Sequence, residues 1–104
     1  MTIQLNSDKN LDIHEDFEDT LKQMITTGLA HVSDHITRIE VHLSDQNGAK
    51  AGIDDKRCVL EARQEGKQPI AVSADGNTHE QSLKAAIQKL KVSLETIIGR
   101  QRNH

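Results

Sequence analysis

The stretch from Arg38 to Ser44 constrains this chain more than any other. Ile39, Val41 and Leu43 alternate there with Arg38, Glu40, His42 and Ser44. That period of two puts three aliphatic side chains on one side of an extended strand and polar ones on the other. A strand of this kind has one face for a core and one for water, so other elements must cover a single face.

The pattern recurs. Cys58, Leu60 and Ala62 alternate with Arg57, Glu61 and Arg63, and Ile3 and Leu5 face one way within Thr2 to Leu5. Asp45 to Lys56 reads as a loop carrying Asn47-Gly48 and Gly52. Pro69 opens a short strand through Ile70 and Val72, and Glu65-Gly66-Lys67 supplies a tight turn before it, which predicts an antiparallel hairpin. Two other stretches switch to helical spacing. Ile13, Phe17, Leu21, Met24 and Ile25 form an apolar stripe, with Asp12 and Glu15 as a capping box ahead of it. Gly28 costs about 1 kcal/mol relative to Ala inside a helix, so the helix is expected to end between Gly28 and Val32. After Asp75-Gly76-Asn77 ends the sheet, Leu83, Ile87, Leu90, Leu94 and Ile97 form a second stripe. Asn77 with Glu80 is its expected capping box and Gly99 its expected C-cap, followed by Arg100 and Arg102 where a helix C-terminus favours positive charge. The expected fold is therefore α+β, in the order β-α-β-β-β-α. It has one domain over residues 1–104 and two helices packed on one face of a four-stranded, mainly antiparallel sheet.

With 104 residues, one Phe and no Trp or Tyr, the core must be aliphatic. No apolar run approaches the roughly 18 residues of a membrane span, no basic-then-apolar signal segment opens the chain, and a single Cys allows no internal disulfide. A cytoplasmic protein without membrane partners is the expectation. The net charge of −3 argues at first against nucleic acid. It conceals a split: residues 1–55 carry 4 basic and 11 acidic side chains, residues 56–104 carry 9 and 5.

Few constellations carry chemistry. His31 and His35, with Asp34 between them, stand four residues apart, but zinc needs further ligands and the lone cysteine sits in a strand. Asp45, Asn47, Asp54 and Asp55 lack the spacing and closing glutamate of a calcium loop. The alternation puts Cys58 on the buried face, as a core residue rather than a nucleophile. No glycine-rich phosphate loop is present, and nothing calls for a catalytic residue, a metal or a cofactor. What remains is charge. Residues 84–104 hold five basic side chains and one acidic. Lys84, Lys91 and Arg102 flank the apolar stripe on one side, Lys89 and Arg100 on the other. Such a surface contacts phosphates by displacing counterions, and with so few rings it meets the RNA backbone rather than stacked bases. Against it stand six acids, Asp8, Asp12, Glu15, Asp16, Glu18 and Asp19, with only Lys9 among them.

The element order, the run Asp55-Lys56-Arg57-Cys58-Val59-Leu60-Glu61-Ala62-Arg63, the strand Gln68-Pro69-Ile70-Ala71-Val72 and the second helix with Ala86-Ile87, Lys89 and Leu90 together resemble the ribosome hibernation factor family, short form. That family is also called ribosome-associated inhibitor A or sigma-54 modulation proteins. The resemblance runs from about Ile3 to Ile98. It implies a fold like a double-stranded-RNA-binding domain and binding to the small ribosomal subunit and its rRNA, which blocks translation in starved cells. Lys89 matches a basic position of the family's second helix. Val92 and Thr96 on that helix, and Thr20 and Gln23 on the first, stand where relatives carry basic residues.

The expected function is a non-enzymatic, ribosome-associated regulator of translation. Lys84, Lys89, Lys91, Arg100 and Arg102 would be its RNA contacts, with Arg38, Arg57 and Arg63 as weaker candidates on the open sheet face. The alternative is an interaction module of the same fold that binds a protein partner through the acidic first helix.

Overall fold

The structure, a computed structural model, describes residues 1–7, 15–45 and 56–102, with side chains through residue 99. Four strands, β1 (Thr2–Ser7), β2 (Arg38–Asp45), β3 (Lys56–Arg63) and β4 (Ile70–Gly76), form one sheet in the order β1-β2-β3-β4. β1 runs parallel to β2, and the other two pairs are antiparallel. Helices α1 (Glu15–Gly28) and α2 (His79–Arg102) complete the β-α-β-β-β-α order, with a 3-10 helix at Ala30–His35 between α1 and β2.

The alternation of Ile39, Val41 and Leu43 sets the register. Ile39 lies opposite Ala62, Val41 opposite Leu60 and Leu43 opposite Cys58, and all six are buried. Ile3 and Leu5 pair with Ile39 and Val41, while Ile70, Val72 and Ala74 pair with Ala62, Leu60 and Cys58. Every inward position therefore falls on one face, where Leu21, Ile25, Leu83, Leu90 and Leu94 of the helices close over it. The core is aliphatic, and Phe17 is only partly buried against it.

Several local expectations shift. β1 continues two residues past Leu5, through Ser7. α1 ends at Gly28, within the expected limits. The chain then tightens into the 3-10 helix, with Val32 N–H donating to the Leu29 carbonyl at 3.0 Å and Ile36 N–H to that of Ser33 at 3.1 Å. Leu29, Val32 and Ile36 are all buried, so the apolar stripe outlasts the α-helix and draws a further short helix onto the core. Asp12 of the first capping box and residues 46–55 of the long loop lie outside the described residues.

The second capping box falls one residue later than Asn77 and Glu80. Thr78 Oγ1 accepts from Gln81 N–H at 3.0 Å, and Gln81 Oε1 accepts from Asn77 N–H at 3.1 Å. The strand end fixes this choice. A Cβ on Gly76 would stand 2.8 Å from the Ser82 nitrogen, so β4 runs directly under the first turn of α2. Nor does Gly99 cap α2, which continues to Arg102. Ile98, not Ile97, is the buried residue of that turn. Ile98 is buried beside the 3-10 helix, with a small cavity between it and His31, Val32 and His35.

Candidate nucleic-acid interface

Gly28, the last residue of α1, meets Ile87 of α2, and His31 of the 3-10 helix that follows meets Glu95 two turns further along α2. A Cβ on Gly28 would come within 2.6 Å of Ile87 Cγ2, so the helices touch where one of them has no side chain. The glycine read from sequence as a helix-weakening residue is also the contact that lets the two helices approach.

Beside this contact lies an open groove of about 500 Å³. Met24, Gly28 and Ile87 form its apolar floor. Thr20, Gln23 and Thr27 line one wall, and Glu80, Lys84, Gln88 and Lys91 line the other. Lys84 and Lys91 are seven residues apart, two turns of α2, so their backbone positions are about 10 Å apart along one helix face. Neither ammonium has an ion-pair or hydrogen-bond partner among the described residues.

Lys89 points elsewhere. Its Nζ donates to the Ser73 carbonyl of the edge strand β4 at 2.7 Å. The three arginines of the open sheet face are engaged as well. Arg57 Nε donates to Asp75 Oδ1 at 2.8 Å, from the position directly opposite on β4. Arg63 Nη2 lies 3.1 Å from Glu40 Oε2 and 2.8 Å from Glu61 Oε1. Arg38 Nη2 reaches the same Glu40 oxygen at 3.6 Å. Hydrogen bonding to Arg57 holds the Asp75 carboxyl below its usual value, against partial burial that pushes the other way, and Lys89 adds its charge. For Glu40 burial is the largest single influence and raises the value, but Arg38 and Arg63 together outweigh it and leave the carboxyl lowered. Lys22 and Lys56 pair with Glu18 at 3.4 Å and Asp45 at 2.8 Å. Besides the groove lysines, only Lys67 in the β3–β4 turn has a side-chain cation without a partner among the described residues.

Of the five basic residues expected to contact RNA, then, Lys84 and Lys91 share the groove and Lys89 is turned to the sheet edge. Arg100 and Arg102 belong to the end of α2, and their side chains lie outside the described residues. The acids of α1 gather at its start: Glu15, Asp16 and Glu18 occupy the first turn, which complements the helix dipole, and Asp19 is exposed just beyond.

His31 and His35 do not form a ligand pair. Both line the small cavity beside Ile98 and Gly99. His31 Nε2 instead meets Glu95 Oε1 at 2.7 Å. Among the described residues no group of three ligand side chains could hold a metal ion. Cys58 is fully buried, and burial pushes its thiol up to about 12, which suits a core residue. No described helix is long and apolar enough to cross a membrane.

Sequence reasoning found the lysines from their charge. It missed Gln88 and Thr27, and Met24, placed on the apolar stripe, both packs against the core and lines the groove. The spacing of Lys84, Gln88 and Lys91 at four and three was the available signal, since it puts an amide on the same face as the two charges.

Comparison with known proteins follows the same line. The model of the family described as sigma 54 modulation protein / S30EA ribosomal protein matches residues 7–102. Among curated proteins, no relative matches. Among solved structures, a ribosomal subunit interface protein from Coxiella burnetii superposes with a TM-score of 0.73 at 17% identity, over 95% of this chain and 99% of that one. The Protein Y N-terminal domain of Thermus thermophilus does so with a TM-score of 0.71 at 18% identity, over 93% and 99%. At these identities the likeness concerns the fold, a four-stranded mixed sheet with two helices.

Proposed function

The chain belongs to the sigma 54 modulation protein / S30EA ribosomal protein family, and from that premise we propose that it is a ribosome-associated regulator that occupies the small subunit and blocks translation during stress. The observation that carries this reading is the pair of uncompensated lysines, Lys84 and Lys91, in the groove between α1 and α2. Most other described cations already have a protein partner, so these two are free to exchange counterions for RNA phosphates. Arg100 and Arg102 add two basic residues at the end of α2, Arg102 on the Lys84 side of the stripe by its sequence spacing. Lys89 joins them only by leaving the Ser73 carbonyl. The action is steric, so it needs no catalytic group and no cofactor.

Co-sedimentation with purified small subunits at low and high salt tests the reading. Association that weakens steadily as salt rises, and that charge reversal of Lys84 and Lys91 abolishes, is the expected result. No association even at low salt would overturn ribosome binding, and salt-insensitive association would overturn the phosphate contacts. A second reading rests on the exposed carboxylates of Glu15, Asp16 and Asp19, which have no basic partner among the described residues. Recovery of a basic protein partner without rRNA in a pull-down would favour it.

A further inference from the structure

The interhelical groove contains more than two charges. Its floor is apolar, made by the Met24 thioether stem and Ile87 beside the bare Cα of Gly28. On facing walls stand two carboxamides, Gln23 on α1 and Gln88 on α2, both exposed and neither hydrogen-bonded to any described residue. Phosphate contact alone explains the lysines but not this combination. A duplex laid across the groove would touch the ammonium groups at its rim and leave the floor and the amides unused.

We propose that the groove receives a single unpaired RNA base, an adenine in preference, from a bulge or loop, and that Lys84 and Lys91 hold the phosphates on either side of it. This rests on the reading of the groove as an RNA surface and names what that surface selects. The volume of about 500 Å³ is within the range of sites that take a small ligand and leaves room for one nucleoside. With no aromatic ring available, the flat face of the base packs on Met24 and Ile87, and a thioether against an aromatic ring is a favourable contact. A carboxamide can donate to N7 of adenine while accepting from its 6-amino group, which is the pairing by which Gln selects adenine. Unpaired bases expose those edges, whereas the deep, narrow major groove of an RNA duplex hides them. Glu80, one turn before Lys84, closes that end of the phosphate path by repulsion.

The test uses the full chain and two RNA hairpins identical except for one bulged adenosine, read by fluorescence anisotropy at fixed salt. The bulged hairpin should bind at least about 5-fold more tightly, the lower end of what one good amide–base pair discriminates. The double variant Gln23→Ala/Gln88→Ala should bind the two hairpins equally while keeping the salt dependence of the paired one. Both positions are exposed on helices and Ala is the better helix former, so this variant keeps its fold. Lys84→Ala/Lys91→Ala should weaken both hairpins by the same factor. Equal binding of the two hairpins by the unmodified chain, no binding of either, or a bulge preference that survives the double glutamine substitution would overturn the inference. Co-sedimentation with small subunits can succeed while each of these fails, so base selection and ribosome association are judged separately.

Discussion

Lys84 and Lys91 in the groove and Arg57 and Arg63 on the open sheet face belong to the same charge class and lie on the same small molecule, yet they stand in opposite circumstances. On the sheet, cross-strand neighbours lie directly opposite or on a short diagonal, and each arginine finds a carboxylate there, Asp75 for Arg57 and Glu40 for Arg63, which also meets Glu61 two residues back on its own strand. On α2 the neighbours in reach are one turn away. For Lys91 the residue one turn ahead is Glu95, and His31 already engages it. Basic charge is thus engaged where strands set acids directly beside it, while on α2 Lys84 makes no ion pair with Glu80 one turn before it and Lys91 none with Glu95. A count of lysines and arginines does not separate the two.

The largest effect that sharpens this contrast comes from the contact that shapes the groove. Gly28→Val would drive Cβ and its methyls into Ile87 Cγ2, which already lies 2.6 Å from a Cβ at that position. Overpacking of this kind costs about 2–3 kcal/mol. A fall of that size in urea-unfolding stability is expected. An unchanged midpoint would mean that the helices are not held at this distance.

Next come the free lysines. Lys84→Ala/Lys91→Ala should lower the slope of log affinity for small subunits against log salt by about 1.5, since each phosphate contact contributes about 0.7–0.9. Arg57→Ala/Arg63→Ala should leave that slope within error. Equal losses from the two pairs would break the contrast drawn above.

The sheet-face pairs have their own signature in acid. Glu40 and Asp75 have carboxyls held below their ordinary values of 4.5 and 3.8. A depressed folded-state value means that the ionised form is favoured in the fold. The stability it brings is complete above the ordinary value and is lost as pH falls from there through the lower folded-state value. The urea-unfolding stability of the Glu40→Gln/Asp75→Asn variant, followed by circular dichroism, should therefore fall less steeply between about pH 5 and 3 than that of the unmodified chain. An identical pH profile would show that the pairs do not stabilise the fold.

The sheet was legible because its alternation is a local property that the register then preserves: Ile39, Leu60 and Val72 each show their face without reference to a partner. The ends of α2 were not. Asn77-x-x-Glu80 and Thr78-x-x-Gln81 both satisfy a capping template, and only the passage of Gly76 beneath Ser82 selects the second. Gly99 reads as a stop signal by local rules, yet α2 runs on to Arg102 with Ile98 buried in that turn. In the site, Lys84 and Lys91 could be found from spacing. The partner of Lys89 could not, because it is a backbone carbonyl sixteen residues away, and main-chain acceptors leave no mark in a sequence.

The smallest expected effect concerns Glu95. It stands one turn after Lys91 and is engaged by His31 across the end of the groove. If that engagement keeps Lys91 free, His31→Ala releases the carboxylate to the lysine. Lysine before glutamate is the weaker orientation of a helical ion pair, and such pairs are worth about 0.2–0.5 kcal/mol. RNA binding should therefore weaken by no more than about 2-fold, and Glu95→Gln added to His31→Ala should restore it. Restoration distinguishes release of the carboxylate from simple loss of the tie between the 3-10 helix and α2, because the second change removes the competing charge without rebuilding that tie.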